Sequence, residues 1–446
     1  MNMNNRIINW TTFVSVNGGF ILGLNMAGIS GAIPSLQEFY NLSDLALGMA
    51  VSSIMVGCLI GSLFAGSLSD KYGRKKLMII TAIIFVLSPL GCSLSQSLWL
   101  FILSRLILGI AVGSISVLSP TYISEIAPAE KRGALVSYNQ LAVVIGILLA
   151  YLINFVLIRF EEGWRLMLAV PTVFSILLLV LLNISFPESP RWLLKVGHSD
   201  KAFNILNKIG GQEYAKLEIA TISSASDNKK VDSEIHIKDL FRGKIGYIVL
   251  LGTLLAAFQQ ITGINAVINY APTIFEKAGV SNDIALFQSI IVGLVNLLFT
   301  IVAIRLVDKK GRKPLLLWGA AGMAASLFIL YLSFNSGSII ILISLLGYIA
   351  FFAASLAPVM WVVTTEMYPT RIRGVAMSFS TAISYVCALL VVQFFPWLLN
   401  NWGSFTFMVF TLLSLGAFIF IIFLIPETKG KSLEQIEADL HLRDVK

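Results

Sequence analysis

The sequence predicts an all-α membrane protein, with twelve spanning helices arranged as two pseudo-symmetric bundles of six. Three observations predict it. The 446-residue chain is 57% hydrophobic and only 13% charged, where soluble proteins average about 25% charged. Its apolar residues fall in runs of about 20, the length a helix needs to cross a bilayer, with short charged clusters between the runs. The charged motifs of the first half recur, in order, in the second. This composition excludes a disordered chain, a nucleic-acid-binding tail and an ordinary water-soluble enzyme. A soluble core, which stops growing at about 250–300 residues, could not hide so much apolar surface.

The spans are expected at 10–34, 46–68, 76–96, 98–123, 135–158 and 164–186, then at 245–275, 283–306, 314–334, 338–364, 374–399 and 403–425. The first follows M-N-M-N-N-R and is too long for a signal h-region, so it is expected to be an uncleaved anchor. The second and third flank Lys71, Arg74, Lys75 and Lys76; the fourth and fifth flank Lys131 and Arg132. The eighth and ninth flank Lys309, Lys310, Arg312 and Lys313; the tenth and eleventh flank Arg371 and Arg373. The alternate loops hold little beyond Arg159, Arg165 and Lys277. The net charge of +8 is therefore topological. The positive-inside rule puts the basic loops and both termini in the cytoplasm. Apolar length argues for helices, since barrel strands need only about 10 alternating residues. Internal Gly and Pro fit packed membrane helices, which tolerate both.

The organisation expected is an N-terminal six-helix bundle at 1–186, a cytoplasmic linker at 187–244 and, at 245–446, a C-terminal six-helix bundle with a short cytoplasmic tail. Within the linker, 201–209 and 214–220 read as short amphipathic helices. Cys58, Cys92 and Cys387 all sit in apolar stretches with no metal spacing, so neither a disulfide framework nor a metal site is expected.

Asp70-x-x-Gly73-Arg74 recurs as Asp308-x-x-Gly311-Arg312. Glu125-x-x-Pro128-x-x-x-Arg132-Gly133 recurs as Glu366-x-x-Pro369-x-x-x-Arg373-Gly374, and P-E-S (187–189) as P-E-T (426–428). Three collinear matches, offset by about 238–241 residues, argue for duplication. Parallel six-span repeats are the architecture of transporters whose substrate sits between the halves, near the midplane. The eight charges Asp70, Arg74, Glu125, Arg132, Asp308, Arg312, Glu366 and Arg373 all fall at cytoplasmic helix ends. Repetition of the pattern favours an ion-pair gate that latches in one state; loop charges that only set orientation are the alternative, worth under about 1 kcal/mol per exposed pair.

The strings G-S-L-S-D-K-Y-G-R-K-K (66–76), P-E-S-P-R-W-L (187–193), Q-Q-I-T-G-I-N-A (259–266), W-V-V-T-T-E-M-Y-P-T-R-I-R-G (361–374) and P-E-T-K-G-K-S-L-E (426–434) resemble the sugar porter family of the major facilitator superfamily, over nearly the whole chain. A lone D-x-x-G-R would indicate only the superfamily. The resemblance implies the major facilitator fold and transport of a monosaccharide, a hexose or pentose, by alternating access. It also implies that the eight charges close the cytoplasmic side.

A sugar is a neutral polyol, so its site must replace water hydrogen bonds, and carboxamides offer donors and acceptors together. In the seventh span Gln259, Gln260 and Asn265 are expected on one broad face, with interhelical glue as the alternative. Gly263 between them is a candidate bend. By resemblance, Gln140 and Asn296 contact sugar and Trp361 stacks on it. Ser384 and Tyr385 stand where the family commonly has Asn or Gln and Trp, and Asn269 replaces the first tyrosine of a usual pair, leaving Tyr270. These departures weaken any transfer of sugar identity.

Proton symport needs a titratable group within the membrane. None of the 24 acidic residues falls in an expected span core. Coupled members of the family carry an Asp in the first span; here the string is G-L-N-M-A-G-I-S-G, and the position is Asn25. Its partner by resemblance, Arg105 in the fourth span, is expected at similar depth and should find carbonyls, Asn25 or water. Asn at this position is typical of uncoupled members, so uniport is expected, with proton symport and a proton as co-substrate the alternative. An enzyme is disfavoured because His198, His236 and His441 form no site. A sensor would need a signalling tail, and a drug or organic-ion exporter would want a charged or aromatic pocket. The expected partners are a small-molecule sugar and the lipid bilayer, with no nucleic acid and no cofactor. The chain is expected to be a monomeric multi-pass protein of the plasma or inner membrane.

Overall fold

A computed structural model describes residues 5–128, 132–229, 243–334, 338–369 and 372–429, and no strand occurs among them. Among the described residues twelve helices are long and apolar enough to cross a membrane. In the first half they are Arg6–Phe39, Asp44–Tyr72, Arg74–Leu94, Leu98–Ile126, Gly133–Leu157 and Gly163–Ser185. The second half has Ile245–Lys277, Asn282–Val307, Arg312–Ser333, Ile339–Met367, Arg373–Trp402 and Phe405–Leu424. All twelve expected spans are present. The second and fourth run three or four residues past their expected ends at the charge-bearing side, because the Asp, Lys and Glu there are ordinary helix formers outside lipid. Ser199–Lys229 is helical on either side of Gly211, which stands at φ 83°. A short helix, Pro190–Lys195, was not anticipated.

Spans in a bilayer gain little from hydrophobicity against one another, so close packing holds them. The second and fourth spans cross through glycines. A Cβ on Gly57 would lie 2.0 Å from the Leu106 carbonyl oxygen, and one on Gly109 would lie 2.0 Å from that of Ile54.

The first span tightens into the 3₁₀ turn Ser30–Ala32, and the sixth keeps helical angles at Val170 before Pro171. Among the described residues two spans are broken, the seventh at Gly263 (φ 102°) and the tenth at Ser355 (φ −134°, ψ −86°). Backbone freed in this way is tolerated at membrane depth only when buried in protein or lining a cavity, so the breaks mark where a site can be built.

The charge-bearing ends of the two halves are alike. Gly73 (φ 101°) and Gly311 (φ 92°) turn the chain into the third and ninth spans. The first N–H groups of a helix lack partners within it and favour an anion. Glu188, of the P-E-S string, accepts from the backbone N–H of Arg74 at 3.0 Å and of Lys75 at 3.1 Å. Glu427, of P-E-T, accepts from Arg312 at 3.0 Å and Lys313 at 3.1 Å. A Cβ on Gly73 would come within 2.4 Å of Glu188 Oε2, and one on Gly311 within 2.8 Å of Glu427 Oε2. The glycine of D-x-x-G-R and the glutamate of P-E-S/T are thus two parts of one cap.

Among the described residues, hydrogen bonds that join the halves lie at the opposite end or at mid-depth. At the far end Gln393 of the eleventh span donates to the Leu45 carbonyl at 2.9 Å and accepts from Ser52 Oγ at 2.9 Å. Nearby, Asn400 donates to Asp44. Tyr151 of the fifth span donates to the Ile268 carbonyl at 2.7 Å. At mid-depth the Ser116 and Tyr385 hydroxyls stand 3.4 Å apart.

Candidate functional site

The seventh-span break builds the core of the site. The segment Gly243–Ile261 ends just beyond Gln259 and Gln260, and Ile264–Lys277 begins just before Asn265. The expectation of one continuous helical face is corrected here: a separation of five along an unbroken helix leaves side chains about 140° apart. The left-handed turn at Gly263 (φ 102°) closes that angle. Asn265 Nδ2 then donates to Gln260 Oε1, and Gln260 Nε2 donates to Gln259 Oε1 at 3.2 Å. Gln259 Nε2 donates to the Leu356 carbonyl at 3.0 Å, in the first turn of the helix that follows the tenth-span break. The three amides form one relay across the two broken helices. Gln259 and Asn265 are buried, while Gln260 is half-buried.

The other expected residues stand on separate spans. Asn296 is buried yet has no hydrogen-bond partner in the protein among the described residues, and half-buried Gln140 is the same. Their neighbours differ: Asn139 Oδ1 accepts from Ser119 Oγ at 2.9 Å and ties the fourth span to the fifth. Adjacent amides thus divide between glue and free donors. Trp361 is half-buried, one turn beyond the carbonyl that holds Gln259. Ser384 is buried, and Tyr385 reaches the opposite half through Ser116. Asn269 turns its amide back to the Asn265 carbonyl at 2.7 Å, and Tyr270 donates to Val392 at 3.2 Å, so both brace the break.

Asn25 and Arg105 line one small cavity, as their expected depths require. No direct hydrogen bond joins them among the described residues; Arg105 donates to the Val51 carbonyl at 3.0 Å and Asn25 to that of Ile21 at 2.8 Å. Glu276, expected just beyond the seventh span, lies within it near the far end, half-buried, with Oε1 lacking a partner in the protein among the described residues.

Among the described residues, these ion pairs of the charged clusters lie within one half. Arg74 meets Asp70 at 2.7 Å and Glu125 at 2.9 Å. Asp70 also meets Lys195 of the linker at 2.9 Å. Arg312 meets Glu366 at 3.0 Å, and Glu366 accepts from Thr428. Arg373 Nε donates to the Tyr368 carbonyl at 3.2 Å. The side chains of Arg132 and Asp308 lie outside the described residues.

Three residues were missed. Gln393 is a lone amide in V-V-Q-F-F, a signal that was available. The caps formed by Glu188 and Glu427 were signalled by the repetition of P-E-S as P-E-T.

A family model described as "Sugar (and other) transporter" matches residues 10–440. The chain belongs to the sugar porter family of the major facilitator superfamily. The D-xylose-proton symporter of Escherichia coli (strain K12) is 38% identical over 478 residues, covering 98% of this chain and 96% of that one. The glucose facilitated diffusion protein of Zymomonas mobilis is 37% identical over 457 residues, covering 95% of each. The solved inward open conformation of the xylose transporter XylE from Escherichia coli matches with a TM-score of 0.86 at 35% identity, over 97% of this chain and 99% of that one. This sugar porter is a multi-pass membrane transporter and not an enzyme, with the twelve-helix fold expected from its sequence.

Proposed function

We propose that this sugar porter carries a monosaccharide, a hexose or pentose, across the plasma or inner membrane by alternating access, as a uniporter. The observation that carries the reading is the amide relay Gln259–Gln260–Asn265 at the break of the seventh span. It offers neutral donors and acceptors, without a charge or a metal, to a solute that needs both. Gln140, Asn296, Trp361, Ser384 and Tyr385 complete the lining in this reading, with Asn296 and Gln140 supplying amides that no other protein group engages among the described residues. A charged drug or organic ion would leave these dipoles uncompensated.

The basic loops put the charge-bearing ends in the cytoplasm. The halves touch at the other end, which makes the conformation inward-facing, in keeping with the likeness to an inward open structure. In this state the arginine–glutamate pairs stay within each half; on closure Asp70, Arg74, Glu125 and Arg132 face Asp308, Arg312, Glu366 and Arg373, and form the cytoplasmic gate. Uniport follows from Asn25, which cannot titrate. A specific observation favours the second reading, proton symport: Glu276 carries a carboxylate oxygen without a protein partner at the end of a broken span. Counterflow of labelled glucose and xylose in proteoliposomes tests both readings. Equilibration without uphill accumulation under an imposed pH gradient supports uniport; accumulation that Glu276→Gln abolishes supports symport. No movement of either sugar, or of any member of a monosaccharide competition panel, refutes the transport reading.

A further inference from the structure

Arg105 lies in the fourth span with 1% of its surface exposed. Its guanidinium keeps its charge at any physiological pH and carries five N–H donors. One donor reaches the Val51 carbonyl at 3.0 Å, while Nε has no protein partner among the described residues. A buried cation is costly unless a countercharge or a set of acceptors satisfies it.

Arg105 shares its surroundings with Asn25, across a cavity of about 10 Å³. That is room for a single small occupant. The walls come from the first, third, fourth and sixth spans, and none of the lining residues is acidic. They are apolar except for Asn25, Arg105 and the Cys92 thiol, which is a weak donor and acceptor. The Asn25 amide gives one hydrogen to the Ile21 carbonyl and keeps a second. The chain therefore presents a fixed positive charge and spare N–H donors to one small space, with no negative group of its own.

We propose that this cavity binds a single monatomic anion, chloride, held between the guanidinium of Arg105 and the carboxamide of Asn25. The size of the space selects a monatomic ion over carboxylate or phosphate. Charge selects an anion over water, because water supplies an acceptor but leaves the cation unneutralised. Asn in place of an acid suits this role, since its amide N–H can donate to the ion that a carboxylate would repel.

The test is equilibrium binding of radioactive chloride to the purified full-length protein, together with thermal melting in chloride and in gluconate at equal ionic strength and pH. Neither readout depends on which sugar is carried. The expected result is saturable binding of one chloride per chain, with a melting midpoint that rises as chloride is added. Asn25→Asp, which supplies a negative charge when ionised, should at neutral pH weaken binding at least tenfold and make melting indifferent to chloride. Asn25→Leu, which removes the amide without adding charge, should also weaken it, and serves if Asn25→Asp does not fold. No saturable chloride binding by the wild type, or equal binding by wild type and variants, overturns the proposal.

Discussion

Gly48 tests where the two halves meet. It lies in the first turns of the second span, and a Cβ built there would stand 1.9 Å from the Gln393 carbonyl oxygen of the opposite half. Ordinary van der Waals contact begins near 3.4 Å, so in Gly48→Ala the halves must part by about 1.5 Å at the far end, or their backbones must bend. Overpacking of this kind costs about 1–3 kcal/mol. The strain exists only while the far end is closed, so it falls on one conformation of the transport cycle. Taking about 2 kcal/mol, the ratio of inward-facing to outward-facing protein drops roughly 30-fold. The tie from Gln393 to Leu45 and Ser52 weakens with it. Spin labels on Leu45 and Trp402, exposed residues on opposite halves at that end, report the change as a longer distance in double electron–electron resonance. Gly66→Ala in the same span is the control, since nothing lies within 4 Å of its Cβ position. An unchanged distance distribution in Gly48→Ala, with the control behaving identically, would refute the reasoning that this contact closes the far end.

Other expectations follow from the same geometry. Gln259→Leu removes the donor to the Leu356 carbonyl and breaks the amide relay, so sugar affinity by calorimetry should fall at least tenfold while the melting midpoint moves little. Asn25→Asp places a titratable group beside Arg105, and counterflow, flat with pH in the wild type, should become pH-dependent. Glu427 gives a pH dependence of stability: partial burial works against its charge, but backbone N–H groups of Lys429, Arg312, Lys313 and Thr428 outweigh burial and hold its carboxyl below its ordinary value. A lowered folded-state value stabilises above the unfolded pKa, and that contribution is lost as pH falls through the folded one. The melting difference between wild type and Glu427→Gln should therefore be constant near neutrality and shrink as pH drops below about 4.5, the ordinary value. Gly311→Ala should destabilise at all pH values, because it combines a positive φ with a contact 2.8 Å from Glu427 Oε2.

The linear pattern of the chain determined what depends on transfer from water to lipid. Runs of apolar residues set the number of spans, their order and their approximate ends, because each span satisfies its own backbone hydrogen bonds locally. Charge asymmetry between loops and the repeated D-x-x-G-R, E-x-x-P-x-x-x-R-G and P-E-S/T strings gave the two halves and the family in the same way. The chemistry of the site was legible as residue type, since Gln259, Gln260 and Asn265 stand close in the chain. Only the tertiary structure decided how they meet. The turn at Gly263 replaced the helical spacing that the sequence suggested, and the break at Ser355 set the Leu356 carbonyl against Gln259. It alone separated Asn139, tied to Ser119, from its neighbour Gln140, whose amide has no protein partner among the described residues. The contact of Gly48 with Gln393 joins residues on separate halves, remote in sequence, and belongs to one arrangement of the bundles. Helix formation is a local matter, whereas which faces meet depends on how whole bundles pack, and a transporter must permit more than one answer.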